Sequence, residues 1–143
     1  MQLPLRQFAD IVETMKRSGT ENAGTEQRRA ARMPLSAKVQ VHPVRDQYLD
    51  GDSFSAILRD ISLTGVGLLQ SKQMNVRDSV ILALPSSTGL VYPQALVTHC
   101  QGLADGIYFL GLKFTQILDD ATFAQLIKES GSETARLKRA ILG

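Results

Sequence analysis

The chain has 143 residues, of which 43% are hydrophobic and 21% charged, with a formal net charge of only +2. That length fits one domain with short extensions and a core large enough to fold without a disulfide or metal staple, while the near-neutral balance excludes a broadly basic nucleic-acid surface and makes any anion site a local one. A single cysteine, Cys100, excludes an intrachain disulfide and suits a reducing compartment.

From Met1 to Asp10 no apolar run is long enough for a signal peptide. Nothing in the chain approaches the ~18 consecutive apolar residues of a membrane span, so the expected location is the cytoplasm. Leu5, Phe8, Val12 and Met15 recur at three and four residues, with Ile11 beside them, and predict one amphipathic helix. Ser18 to Gln27 contains Gly19, Gly24 and small polar residues without periodicity, the pattern of a flexible connector. An arginine cluster follows at once, and Pro34 then biases Met33 toward extended backbone.

From Ala37 the period changes to two. Val39 and Val41 alternate with Lys38, Gln40 and His42, which predicts a strand. Asp50-Gly51 marks a turn. Further strands are expected over Phe54 to Ile61, Gly65 to Leu69, Val80 to Leu84, Leu90 to Cys100 and Ile107 to Phe114. Their turns are Ser62-Leu63-Thr64, Pro85 to Gly89 and Gln101 to Gly106. Pro93 restricts the fifth strand to a sheet edge or a late start. Short strands at this spacing predict a small antiparallel barrel or sandwich. Asp119 or Asp120 can cap a helix carrying Phe123, Leu126 and Ile127. Gly131 ends or kinks it, and Ser132 can recap a second piece bearing Arg136, Leu137, Lys138, Arg139, Ile141 and Leu142.

Two short motifs carry the chemistry. Arg28-Arg29-Ala30-Ala31-Arg32 is an R-x-x-x-R, and Asp60-Ile61-Ser62-Leu63-Thr64-Gly65 is a D-x-S-x-x-G. Arginine presents a planar fork of donors to phosphate oxygens, and the same fork can pair with guanine O6 and N7. The N1 and N2 edge of guanine donates, and the Asp60 carboxylate can accept there. Ser62 offers a small donor and acceptor. Gly65 lets backbone or ligand approach closely and permits positive φ. Arg28 and Arg32 share one face whether the segment is helical or extended. Taken alone, the arginines read as a solvated cluster and the second motif as a turn between strands.

In this order, on this strand pattern, the two motifs resemble the PilZ domain, the bacterial receptor module for cyclic di-GMP. Arg28 and Arg32 match its first pattern, and Asp60, Ser62 and Gly65 its second. The context agrees: Gln27-Arg28-Arg29 leads in, Met33-Pro34-Leu35 follows, and Phe109-Leu110-Gly111-Leu112-Lys113-Phe114 closes the barrel. The resemblance covers Glu26 to Leu118. It divides the chain into an N-terminal helix and connector at 1–25, a barrel at 26–118 and a C-terminal helical extension at 119–143.

The resemblance implies a six-stranded antiparallel β-barrel of split-barrel type with a following helix. It implies no enzyme activity and no cofactor, with cyclic di-GMP as the ligand. Arg28 and Arg32 would grip phosphates and guanine faces or edges, Asp60 and Ser62 would hold guanine from the barrel surface, and Gly65 would let the chain pass beneath. The role of Arg29 is left open. Ligand phosphates would draw the arm onto the barrel, shift the N-terminal helix and relay the signal to a protein partner controlling motility, exopolysaccharide or attachment.

The remaining residues offer little rival chemistry. His99 and Cys100 are neighbours on a strand and point to opposite faces, so they make no metal site with His42. Asp60 and Ser62 lack a histidine or lysine placed for a triad. Aromatic residues are 6% of the chain and tryptophan is absent, which disfavours a nucleic-acid-binding barrel. The alternative is a partner-binding module of the same fold acting without nucleotide. The basic stretch from Arg136 to Arg139 reads as the polar face of an end helix.

Overall fold

A computed structural model describes residues 1–18, 33–46 and 48–130 of the chain. The connector expected after Ser18, both motif arginines and the second C-terminal helical piece lie outside the described residues.

Helix α1 spans Leu5–Ser18. Strands follow as β1 Met33–Arg45, β2 Tyr48–Leu49, β3 Phe54–Ile61, β4 Gly65–Gln70, β5 Ser79–Ser86, β6 Gly89–Gly102 and β7 Tyr108–Leu118, before helix α2 at Asp120–Ser130. The strands order as β2-β1-β3-β4-β7-β6-β5, and β1 also pairs with β5. That last pairing closes six strands into an antiparallel barrel, with β2 as one extra short strand. Full closure removes sheet edges, the usual liability of a β protein.

Alternation drives the closure. In β3 the inward Ala56, Leu58 and Ile61 are buried while Ser55, Ile57 and Arg59 are exposed. Inward residues from all six strands meet in one core, which Phe114 and Leu110 fill from β7. Helix α1 joins that same core through Ile11, Val12 and Met15, and Leu3 precedes it there. Its apolar stripe thus covers barrel interior from Phe8 onward, whereas Leu5, expected in the same stripe, is exposed in the first turn. Asp10 on its flank accepts from the Ser87 backbone N–H at 3.2 Å and the Ser87 hydroxyl at 2.9 Å, tying α1 to the β5–β6 hairpin.

Several boundaries differ from the sequence reading. The chain already reverses between Arg45 and Tyr48, with Asp46 at φ 52°, before reaching Gly51 at φ 83°. Strand β7 runs four residues past Phe114, pairing Gln116 with Gln94, Ile117 with Pro93 and Leu118 with Tyr92. Pro93 sits neither at an edge nor before a late start. It lies inside β6, flanked by both neighbours, where the β5–β6 register passes from Ile81–Gln94 to Leu84–Val91. Proline has no N–H to donate, and the barrel absorbs it by letting the ladder lapse on that side.

Asp119 is the cap of α2: its Oδ1 accepts from the Thr122 N–H at 2.7 Å. Hydrogen bonding from Thr122 holds its carboxyl below the usual carboxylate value. Phe123 then stacks on Tyr92 of β6, with ring centroids 3.9 Å apart, and meets His42 of β1 edge-on at 5.1 Å. Burial lowers the His42 pKa by desolvating the imidazolium.

Candidate functional site

Asp60, Ser62 and Gly65 come together on the β3–β4 hairpin. The Ser62 hydroxyl oxygen accepts from the Gly65 N–H at 3.2 Å and from the Thr64 N–H at 3.3 Å. The Ser62 N–H donates to the Gly65 carbonyl at 2.8 Å. Ser62 is only 5% exposed, so its hydroxyl organises the turn that presents its neighbours. On both sides the turn is held by other segments. Leu3 N–H donates to the Leu63 carbonyl and Phe114 N–H to the Thr64 carbonyl, each at 2.8 Å.

Gly65 is required by close approach, and the approaching group is protein. A Cβ there would collide with the Leu112 carbonyl oxygen and lie 3.3 Å from Lys113 Cα. Its φ is not among the positive values, which among the described glycines occur at Gly51, Gly89 and Gly106. β4 and β7 therefore approach too closely at this point to admit a side chain at position 65.

Asp60 lies at the outer face, half-buried. It pairs laterally with Gly67 on β4 and with Pro34 on β1. The β3–β4 register shifts between Leu58 and Asp60, a bulge-type irregularity that re-aims side chains. Buried Leu58 and Ile61 bracket it, so the two consecutive residues Arg59 and Asp60 both turn outward. Gly67 makes room for what converges there. A Cβ on it would meet Asp60 Oδ1 at 2.9 Å and the Phe109 ring at 2.9 Å. The Arg59 guanidinium lies 5.6 Å from the centroid of that ring, within cation–π range.

The Pro34–Asp60 pairing also bears on the first motif. Arg32 precedes Pro34 by two residues, which limits the Cα separation to about 7 Å by covalent geometry alone. Sequence reasoning singled out Asp60 but not its neighbours Arg59, Gly67 and Phe109. The G-x-G of Gly65 and Gly67 was the available signal, since a strand glycine marks close approach. Among the described residues no cluster of three or more His, Cys, Asp or Glu could hold a metal ion, and no helix is long and apolar enough to cross a membrane.

The PilZ domain family model matches residues 26–129. No curated protein matches the chain. Among solved structures, the Bacillus subtilis inhibitor of motility (MotI/DgrA) is similar at 15% identity and TM-score 0.49, covering 73% of this chain and 50% of that one. The K. pneumonia MrkH–c-di-GMP complex is similar at 16% identity and TM-score 0.47, covering 74% and 54% respectively. The chain thus spans about half the length of these solved chains.

Proposed function

The chain belongs to the PilZ domain family, and from that premise we propose that it is a non-catalytic receptor for cyclic di-GMP. The observation that carries the reading is the pairing of Pro34 with Asp60. It brings the strand that follows the arginine motif alongside the aspartate, so cations for phosphate and a carboxylate for guanine can act on one ligand.

In this reading Arg28 and Arg32 take phosphates and guanine acceptor atoms, and Asp60 accepts from the guanine N1 and N2 edge. Ser62 and Gly65 hold the turn that displays Asp60. Ligand binding repositions the arm, which is tethered at Ser18 by α1 and at Met33 by β1. Because α1 buries Ile11 and Met15 in the core, moving the helix as a whole would expose barrel interior. A protein partner would therefore read the ligand-bound arginine segment and not a displaced α1. Control of motility, exopolysaccharide or attachment is the expected setting, in the cytoplasm.

Titration calorimetry with cyclic di-GMP, GTP and GMP tests the proposal. Saturable heat with cyclic di-GMP and little with the two mononucleotides is expected. No binding of cyclic di-GMP would overturn it.

A further inference from the structure

Of the other register shifts in the barrel, at Pro34/Ala37, Gln94/Ala95 and Val97/His99, the last mirrors the one at Asp60. On β6 the pairing with β7 shifts between Val97 and His99. Val97 is buried and Cys100 packs against the core, so Thr98 and His99 both turn outward and are exposed. Each shift therefore delivers two consecutive polar residues to the same outer wall of the barrel. Such irregularities bend a strand and re-aim side chains beside functional sites.

The two pairs face each other across β4 and β7. Asp60 pairs with Gly67, Gly67 with Gly111, and Gly111 with His99. At ~4.8 Å per strand, this row extends ~14 Å from Asp60 to His99. The ring of Phe109 overlies the row next to Gly67, with Arg59 on one side and the His99 ring 6.1 Å away on the other. At Gly111 a Cβ would lie 3.3 Å from His99 Cβ. The Thr98 hydroxyl is held by the Gly111 carbonyl at 3.1 Å, while the exposed His99 ring at this end has Nε2 3.4 Å from Oε1 of the exposed Gln101 side chain, which a ligand acceptor would replace.

We infer that the ligand site does not end at Asp60 but continues along this row, with Arg59 and His99 as two further ligand-contacting side chains. This rests on the reading of the chain as a guanine-dinucleotide receptor. A wall ~14 Å long exceeds one base and suits a ligand with two purines joined by phosphates. Asp60 takes the donor edge of one guanine. Arg59, its guanidinium already 5.6 Å from the Phe109 ring centroid, offers that guanidinium to a phosphate oxygen or to O6 and N7. His99 donates a ring N–H to an acceptor on the second half of the ligand. The Phe109 ring between them gives a base an apolar face.

The test is calorimetry with cyclic di-GMP on the full chain and four variants: Asp60→Ala, Arg59→Ala, His99→Ala and His99→Gln. Arg59 and His99 are exposed, so unchanged melting temperatures are expected for their variants. Arg59→Ala and His99→Ala should each weaken binding ~10-fold, about one charge-assisted or donor contact, and His99→Gln, which keeps an N–H, should recover much of the loss. Wild-type binding with full affinity in His99→Ala or in Arg59→Ala overturns the extended site, while loss in Asp60→Ala leaves the receptor reading standing. Absence of binding by the wild-type chain overturns both.

Discussion

The backbone N–H of Leu3 donates to the carbonyl oxygen of Leu63 at 2.8 Å. A residue that precedes α1 is thus hydrogen-bonded to the turn that carries Ser62 and Gly65. Leu3 is 2% exposed, so its side chain fills core while its backbone holds the hairpin. Leu3→Ala should lower stability by about 2–5 kcal/mol, the range for a buried leucine truncated to alanine. Denaturant unfolding would show this as a lower midpoint with an unchanged slope, and a midpoint equal to wild type would remove Leu3 from the core.

Gly65→Ala forces a methyl group into the Leu112 carbonyl. Backbone atoms cannot rotate away as a side chain can, so β4 and β7 must separate. A loss of about 1–3 kcal/mol or more is expected, read as a lower melting temperature even without ligand. A variant as stable as wild type would mean that the two strands are free to part here.

Ser62→Ala removes the acceptor of the Thr64 and Gly65 N–H groups. The Gly65 N–H is buried, and a buried donor left unsatisfied costs ~1–3 kcal/mol. The substitution should therefore destabilise the apo protein, whereas Asp60→Ala, on the outer face, should change apo stability much less. Equal melting temperatures for wild type and Ser62→Ala would contradict the assignment of the hydroxyl to the turn.

Acidification should weaken the fold at His42. Its folded pKa lies below the ordinary histidine value because burial disfavours the imidazolium. The unfolded chain then takes up the proton first, near pH ~6.5, and stability present above that value is lost as pH falls toward the folded pKa. Melting temperature should drop between about pH 7.5 and 5.5, and His42→Phe should flatten the dependence. A slope identical in His42→Phe would assign the effect to other groups.

Much of the barrel was legible because burial follows period two where a strand has one wet and one dry face, as over Phe54 to Ile61. Helix α1 was legible for the matching reason at period 3.6. The two residues of β2 have no period to read. The end of β7 was missed because its apolar run stops at Phe114, while the strand continues through Thr115 and Gln116 on cross-strand pairing with β6. Pro93 misled because a local rule about edges does not anticipate a closed barrel that drops ladder pairs. At the site, the Asp60 to Gly65 motif marked the hairpin. The outward turn of both Arg59 and Asp60 depends on a register shift against β4, and the space for Phe109 depends on Gly67, a neighbour across strands. Such relationships are not local in sequence.

Arg32, two residues before Pro34 in sequence, is proposed to grip the same ligand as Asp60, with which Pro34 pairs. Calorimetric titration of cyclic di-GMP into wild type, Arg32→Ala, Asp60→Ala and the double variant tests it most directly. Each single substitution should weaken binding by ~10- to 150-fold, equivalent to ~1.5–3 kcal/mol, and the double variant should lose less than the sum of the two. Wild-type affinity in Arg32→Ala would contradict the account.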